Sequence, residues 1–103
     1  MIWTEEDLKS FTGSKELAML FFMTHGCGVC HTQVQRVEAL SHKFSIPLRL
    51  VEMSDHQHLV ASQMVLNVPV TKVFKDGNEV FKQGAYMDLQ RLEHLLSTLK
   101  EST

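Results

Sequence analysis

The stretch Leu17-Ala18-Met19-Leu20-Phe21-Phe22-Met23-Thr24-His25-Gly26-Cys27-Gly28-Val29-Cys30 decides how the rest of the chain is read. Its first seven residues are apolar without alternation, the pattern of a strand covered on both faces, as in a parallel sheet between helices. Thr24 to Gly28 breaks that strand, and apolar residues then recur at Val34, Val37, Leu40 and Phe44 with helical spacing. A strand, a tight turn and a helix therefore follow in order, with two cysteines at the start of the helix. They are the only cysteines in the chain, and their spacing closes too short a loop to staple a fold. In a chain without export features such a pair is chemistry rather than scaffolding.

Upstream, Thr4-Glu5-Glu6-Asp7 has the form of a capping box opening a short helix that ends by Gly13, with Leu8 and Phe11 facing inward. Downstream, Ile46 to Met53 reads as a second buried strand, with Pro47 at its start where a missing amide does least harm. Val60, Met64 and Val65 suggest a short helix before Asn67, and Val70 to Lys75 a third strand. Asp76-Gly77-Asn78 is a hairpin sequence, so Glu79 to Gln83 should return antiparallel. Asp88 caps a final helix in which Leu89, Leu92, Leu95, Leu96 and Leu99 form one stripe, read as core. The alternation of helices and strands predicts an α/β fold.

At 103 residues and 11.8 kDa the chain has room for one core, so residues 1–103 are read as a single domain. Hydrophobic residues make up 44% and charged residues 21%, enough apolar matter for a compact soluble protein. The net charge of -2 argues against nucleic acid as a partner, because phosphate binding needs a concentrated basic surface. The longest apolar run, Leu17 to Met23, falls far short of the roughly 20 residues that cross a bilayer, so no membrane association is expected. The acidic start Thr4-Glu5-Glu6-Asp7 is unlike a secretory signal, which makes the expected location cytoplasmic.

Thiol-disulfide exchange needs a thiolate that attacks an outside disulfide and a second thiol that resolves the mixed disulfide. Cys27, at or just before the first helical turn, meets unpaired amides and the helix dipole, which favour a negative sulfur. Cys30 leads the inward series Val34, Val37, Phe44 and should lie beneath it. Cys27 is therefore assigned as attacker and Cys30 as resolver.

With these features the chain resembles the thioredoxin family, in its shorter thioredoxin-like branch, over nearly its whole length. The marks are Cys27 and Cys30 at a strand-to-helix turn, Val68-Pro69-Val70-Thr71 where the family has a cis-proline loop, and Gly84-Ala85 before the last helix. The resemblance implies a three-layer fold with a central mixed sheet of about four strands flanked by helices. It also implies a thiol-disulfide oxidoreductase that reduces or exchanges protein disulfides with no cofactor. Its partners would be disulfide-containing client proteins, with a reductase or a low-molecular-weight thiol as electron donor. The client surface it implies consists of Gly26, Gly28, Val29, Val68, Pro69 and Gly84, with Val68 offering its backbone to an extended client.

The chain departs from the family in three places. Gly26-Cys27-Gly28-Val29-Cys30 stands where thioredoxin has Trp-Cys-Gly-Pro-Cys, and Trp3 is the only tryptophan. Phe21 occupies the position of the family's buried aspartate, the proton acceptor for the resolving thiol. The first strand of thioredoxins should be a stub around Ile2-Trp3 or absent.

Six histidines complete the chemistry. His25 and His31 flank the pair, where an imidazolium would favour a thiolate at Cys27, against the simpler reading of solvated side chains. His42, His56, His58 and His94 are read as surface residues. Glu52 is read as a solvated strand-end carboxylate, with replacement of the missing acid as the alternative. Cys27-Gly28-Val29-Cys30-His31 matches a c-type haem attachment pattern, and the two thiols with His25 and His31 match a zinc donor set in composition but not in spacing. Neither metal nor cofactor is expected. A non-catalytic thioredoxin-like adaptor or metal-binding module is the alternative function.

Overall fold

The computed structural model describes residues 2–101. Helix α1 (Glu5–Gly13) begins at Thr4, whose hydroxyl accepts from the Asp7 amide while the Asp7 carboxylate accepts from the Thr4 amide, the reciprocal cap expected from the sequence. Strand β1 (Leu17–Met23) follows, then α2 (Gly28–Phe44), β2 (Leu48–Glu52), two single 3-10 turns over Met53–Asp55 and Gln57–Leu59, and a short helix α3 (Val60–Gln63). Strands β3 (Val70–Lys75) and β4 (Asn78–Gln83) form a hairpin, and α4 (Leu89–Glu101) ends the described chain. Asp76 and Gly77 both take positive φ, 50° and 85°, the left-handed pair that a two-residue hairpin turn requires.

The sheet runs β2-β1-β3-β4. β1 pairs parallel with β2 and antiparallel with β3, which pairs antiparallel with β4, so the sheet is mixed. Burial on both faces explains the unbroken apolar run of β1. Met19 and Phe21 enter one core with Cys30, Val37, Val73, Leu92 and Leu96, beneath α2 and α4. Leu20 and Phe22 enter a second core with Leu8, Val51, Leu59 and Phe74, beneath α1 and the 3-10 turns. Helices on both faces give three layers. Leu92 and Leu96 are fully buried with Leu89, Leu95 and Leu99 packed beside them, so the leucine stripe is core.

Two expectations are corrected, for β2 and for His56, and the alternative left open at Ile2-Trp3 is decided. β2 is shorter than Ile46 to Met53 and lies at the edge of the sheet, where Leu50 is exposed and only Val51 within the strand is buried. No strand forms at Ile2-Trp3. Instead the Trp3 amide donates to His56 Nε2 at 2.8 Å, and the His58 ring meets the Trp3 carbonyl at 2.8 Å. His56 is therefore not a surface residue. It is 3% exposed, and its Nδ1 meets the Glu52 carbonyl at 2.7 Å, so one ring ties the N-terminal segment to the end of β2.

Candidate active site

The end of β1 delivers the chain to Thr24, whose carbonyl accepts from the Cys27 amide at 3.2 Å and closes the turn into α2. Cys27 is the N-cap of α2, with extended backbone (φ -94°, ψ 104°), and its sulfur accepts from the Cys30 amide at 3.1 Å. A sulfur in that position satisfies one of the orphan amides at a helix start and faces the positive end of the dipole. Cys27 and Cys30 are joined as a disulfide. Cys30 is fully buried in the core beneath α2, while Cys27 is half-buried at its rim. One sulfur is thus accessible and the other covered.

The two flanking histidines hold the loop rather than crowding the sulfurs. His31 sets its Nε2 2.8 Å from the His25 carbonyl. His25 turns its own ring to Glu52, Nε2 to Oε1 at 3.4 Å. The Glu52 carboxylate sits at the end of β2, in register with Met23. Its Oε2 accepts from both the amide and the hydroxyl of Ser54, at 3.0 and 2.9 Å. Burial pushes the Glu52 carboxyl up, but the Ser54 bonds and His25 outweigh it and hold the group below the ordinary carboxylate range. A carboxylate stabilised in its charged form is a poor stand-in for a buried acid of raised pKa, so Glu52 serves to anchor the loop.

Phe21 is fully buried in the same core as Cys30. Across the ladder it faces Thr71, also fully buried, whose hydroxyl finds no hydrogen-bond partner. The position of the family's acid is therefore occupied by a ring beside a lone hydroxyl.

The second wall of the site comes from the loop between α3 and β3. The Val68-Pro69 peptide is cis, and Val68 packs against the same core as Cys27 and Cys30. Gly84 lies beside this loop, where an added Cβ would stand 3.9 Å from the Pro69 carbonyl. Open space surrounds Gly26 and Gly28. The structure thus gathers Cys27, Cys30, Val68 and Pro69 with Gly84 at one end of the sheet, and Val29 lies half-exposed on the first turn of α2.

Sequence reasoning missed what surrounds this cluster. Met64, Leu66 and Tyr86 are 67%, 80% and 101% exposed and line the groove next to Pro69. Gln33 is buried, and its Nε2 donates to the Ala85 carbonyl at 2.6 Å, tying α2 to the loop after β4. Lys72 is 3% exposed within β3, and its ammonium reaches the Gln63 carbonyl at 2.5 Å and Glu79 at 2.7 Å. Lys82, its register partner on β4, donates to the Met64 carbonyl at 2.8 Å. Two lysines therefore fix the end of α3 from which the Pro69 loop departs. The apolar side chains left in loops beside Val68-Pro69 were the available clue.

Among the described residues no group of three or more His, Cys, Asp or Glu is placed to hold a metal ion, and no helix is long and apolar enough to cross a membrane. The histidine rings that a zinc site would need are turned to Glu52 and to the His25 carbonyl.

Among solved structures, a thioredoxin mutant from Halobacterium salinarum superposes with a TM-score of 0.85 at 21% identity, over 96% of this chain and 88% of that one. A thioredoxin from Trypanosoma brucei brucei gives 0.83 at 19% identity, over 97% and 88%. Among curated proteins, the thioredoxin-like protein YdfQ of Bacillus subtilis is 23% identical over 90 residues, covering 86% of this chain and 80% of its own. The fold is thioredoxin-like, as the resemblance implied. A family model described as TraF, F plasmid transfer operon protein, matches residues 5–73, and with well over half of its length so matched the chain belongs to that family.

Proposed function

We propose that this protein reduces or exchanges disulfides in client proteins through the Cys27/Cys30 dithiol. A thioredoxin-like fold carrying a Cys-x-x-Cys pair is the apparatus of a thiol-disulfide oxidoreductase. The observation that carries the finer reading is the asymmetry of the two sulfurs. Cys27 caps α2 at the rim of the core, whereas Cys30 is wholly covered beneath it. In the reducing direction the Cys27 thiolate attacks a client disulfide, forming a mixed disulfide and expelling one client thiolate. Cys30 then attacks the Cys27 sulfur, the second client thiolate departs with a proton, and the protein is left oxidised. The Pro69 loop and Gly84 would frame the approach, and Val68 would pair its backbone with an extended client strand. The electron donor would be a reductase or a small thiol. A location in the cytoplasm accords with the reducing direction.

Cys30→Ser should accumulate mixed disulfides with clients and Cys27→Ser should not, read by non-reducing electrophoresis after acid quenching. Equal trapping by both variants would defeat the assigned roles, and trapping by neither would favour the adaptor reading.

A further inference from the structure

Of the large apolar side chains exposed on the described surface, four surround the redox site: Val29, Met64, Leu66 and Tyr86. They belong to two grooves that meet at Ala85 and Tyr86. One runs past Met64 and Pro69 on the α3–β3 side, and the other lies between α2 and the loop ahead of α4, past Val29, Arg36 and Met87. The second groove is preformed, because the Gln33 amide bonded to the Ala85 carbonyl fixes the separation of its walls. Lys82 and Arg36 are the charged residues that line these grooves, both cationic in a chain of net charge -2. Lys82 spends its ammonium on the Met64 carbonyl. Arg36 is exposed, and among the described residues no carboxylate pairs with it. The acid in the loop ahead of α4, Asp88, accepts from the Arg91 amide as the cap of α4.

We infer that the α2 side of the site selects client segments in which apolar residues flank the reacting cysteine and an acidic residue lies a few positions away, met by Arg36. This rests on the proposed action on client disulfides and specifies the client. The spacing follows from geometry. Arg36 lies nine positions after Cys27, about 13 Å along the axis of α2 at 1.5 Å per residue. An extended client advances about 3.3 Å per residue, so the acid falls about four residues from the client's cysteine. Tyr86, Met87 and Val29 take the apolar side chains between. The occupant is an extended client strand rather than a second copy of the chain, because a free guanidinium beside an apolar wall complements an acidic apolar segment.

The probe is a pair of peptides with one cysteine flanked by leucines, carrying aspartates at the third and fourth residues on both sides, or lysines at those positions. Each cysteine is joined to thionitrobenzoate. The reduced protein's Cys27 thiolate attacks the peptide sulfur, thionitrobenzoate leaves as the coloured thiolate, and Cys30 then displaces the peptide as a thiol. The acidic peptide should react about 1.5- to 5-fold faster than the basic one, the range of an exposed ion pair, and the preference should fade at high salt. Arg36→Glu should reverse the order. Tyr86→Ser should slow both peptides while leaving alkylation of Cys27 by iodoacetamide unchanged. Equal rates for the two peptides, or a preference that survives Arg36→Glu, would overturn the inference while the oxidoreductase reading stands. So would concentration-dependent dimerisation lost in Tyr86→Ser and not displaced by either peptide. If neither peptide nor a small disulfide reacts, it is the redox reading itself that fails.

Discussion

Whether the protein works as a reductant or an oxidant is decided by which redox state its fold favours, and the structure allows that balance to be worked out. The cysteines are three positions apart, so the disulfide closes a loop of about four residues. Chain entropy then removes about 1.5 to 2 kcal/mol of freedom from the unfolded oxidised chain relative to the unfolded reduced one. Against this stands whatever the native fold gives a reduced Cys27 thiolate. The helix terminus contributes about 0.3 to 1 kcal/mol. A neighbouring cation would add more, but the candidates are engaged elsewhere, His25 on Glu52 and His31 on the His25 carbonyl. The oxidised protein should therefore be more stable by about 1 kcal/mol. That corresponds by linkage to a couple about 20 mV more reducing than the same cysteines in an unfolded chain. Equilibrium urea unfolding of the oxidised and dithiothreitol-reduced protein measures the difference, with Trp3 fluorescence as probe. Trp3 packs against the core on the opposite face of the sheet from the cysteines, so the disulfide does not act on it directly. The oxidised midpoint should be higher by a few tenths of a molar to about 1 M urea. A reduced form as stable as the oxidised one would refute the reasoning, and a more stable one would mark the protein as an oxidant.

Two further outcomes follow from the residues around the site. Thr71→Val should stabilise the fold by about 1 kcal/mol in urea titration, since the hydroxyl it removes is fully buried and unpartnered and the shape is kept. A loss of stability would show that the hydroxyl bonds an internal water. Glu52→Gln should cost stability at neutral pH and nothing in acid. The folded carboxyl titrates below its ordinary value of 4.5, so its contribution is complete above that value and disappears as pH falls through the lower folded value. Parallel urea midpoints for wild type and variant across that range, with a constant gap, would contradict the bonds assigned to Ser54 and His25.

The sheet was legible because its signals were local. An unbroken apolar β1, the Asp76-Gly77 turn and the Thr4 and Asp88 caps each dictate structure within a few residues, and each element formed where expected. Cys27 and Cys30 were legible for the same reason, since their separation in burial follows from helical geometry alone. Long-range pairing was not legible. His56 looks like any polar loop residue until the Trp3 amide, 53 positions away, supplies a donor to its ring. Lys72 sits in the sheet because the carbonyl at the end of α3 and Glu79 meet its ammonium there, and no sequence pattern announces those partners. Leu50 looks apolar and therefore inward, but the strand that carries it is an edge, and topology rather than composition exposes it. The exposed rim of Met64, Leu66 and Tyr86 was hidden by the opposite habit of reading apolar residues as core.

The replacement of a buried acid by Phe21 bears on the proton carried by Cys30. Deprotonating a covered thiol needs an acceptor that reaches it; Phe21 and Cys30 share an apolar core, and the buried unpartnered polar atoms on β3 and α2 there are the Thr71 hydroxyl and Gln33 Oε1, neither of them a base near neutral pH. Glu52 is held in its charged form by Ser54 and His25, so it releases protons readily and takes them up poorly. On the proposed action on client disulfides, the reaction itself creates one acceptor. When Cys30 attacks the Cys27 sulfur, the departing client thiolate leaves from the open rim of the site, and thiol and thiolate have matched affinities for the proton. A resolving step that hands its proton to the client has a rate tied to the acidity of the client's own cysteine. A family member with a buried carboxylate is free of that tie. On the proposed reading, Phe21 in place of an acid acts in the same direction as the apolar rim and Arg36, making the site depend on what is bound to it.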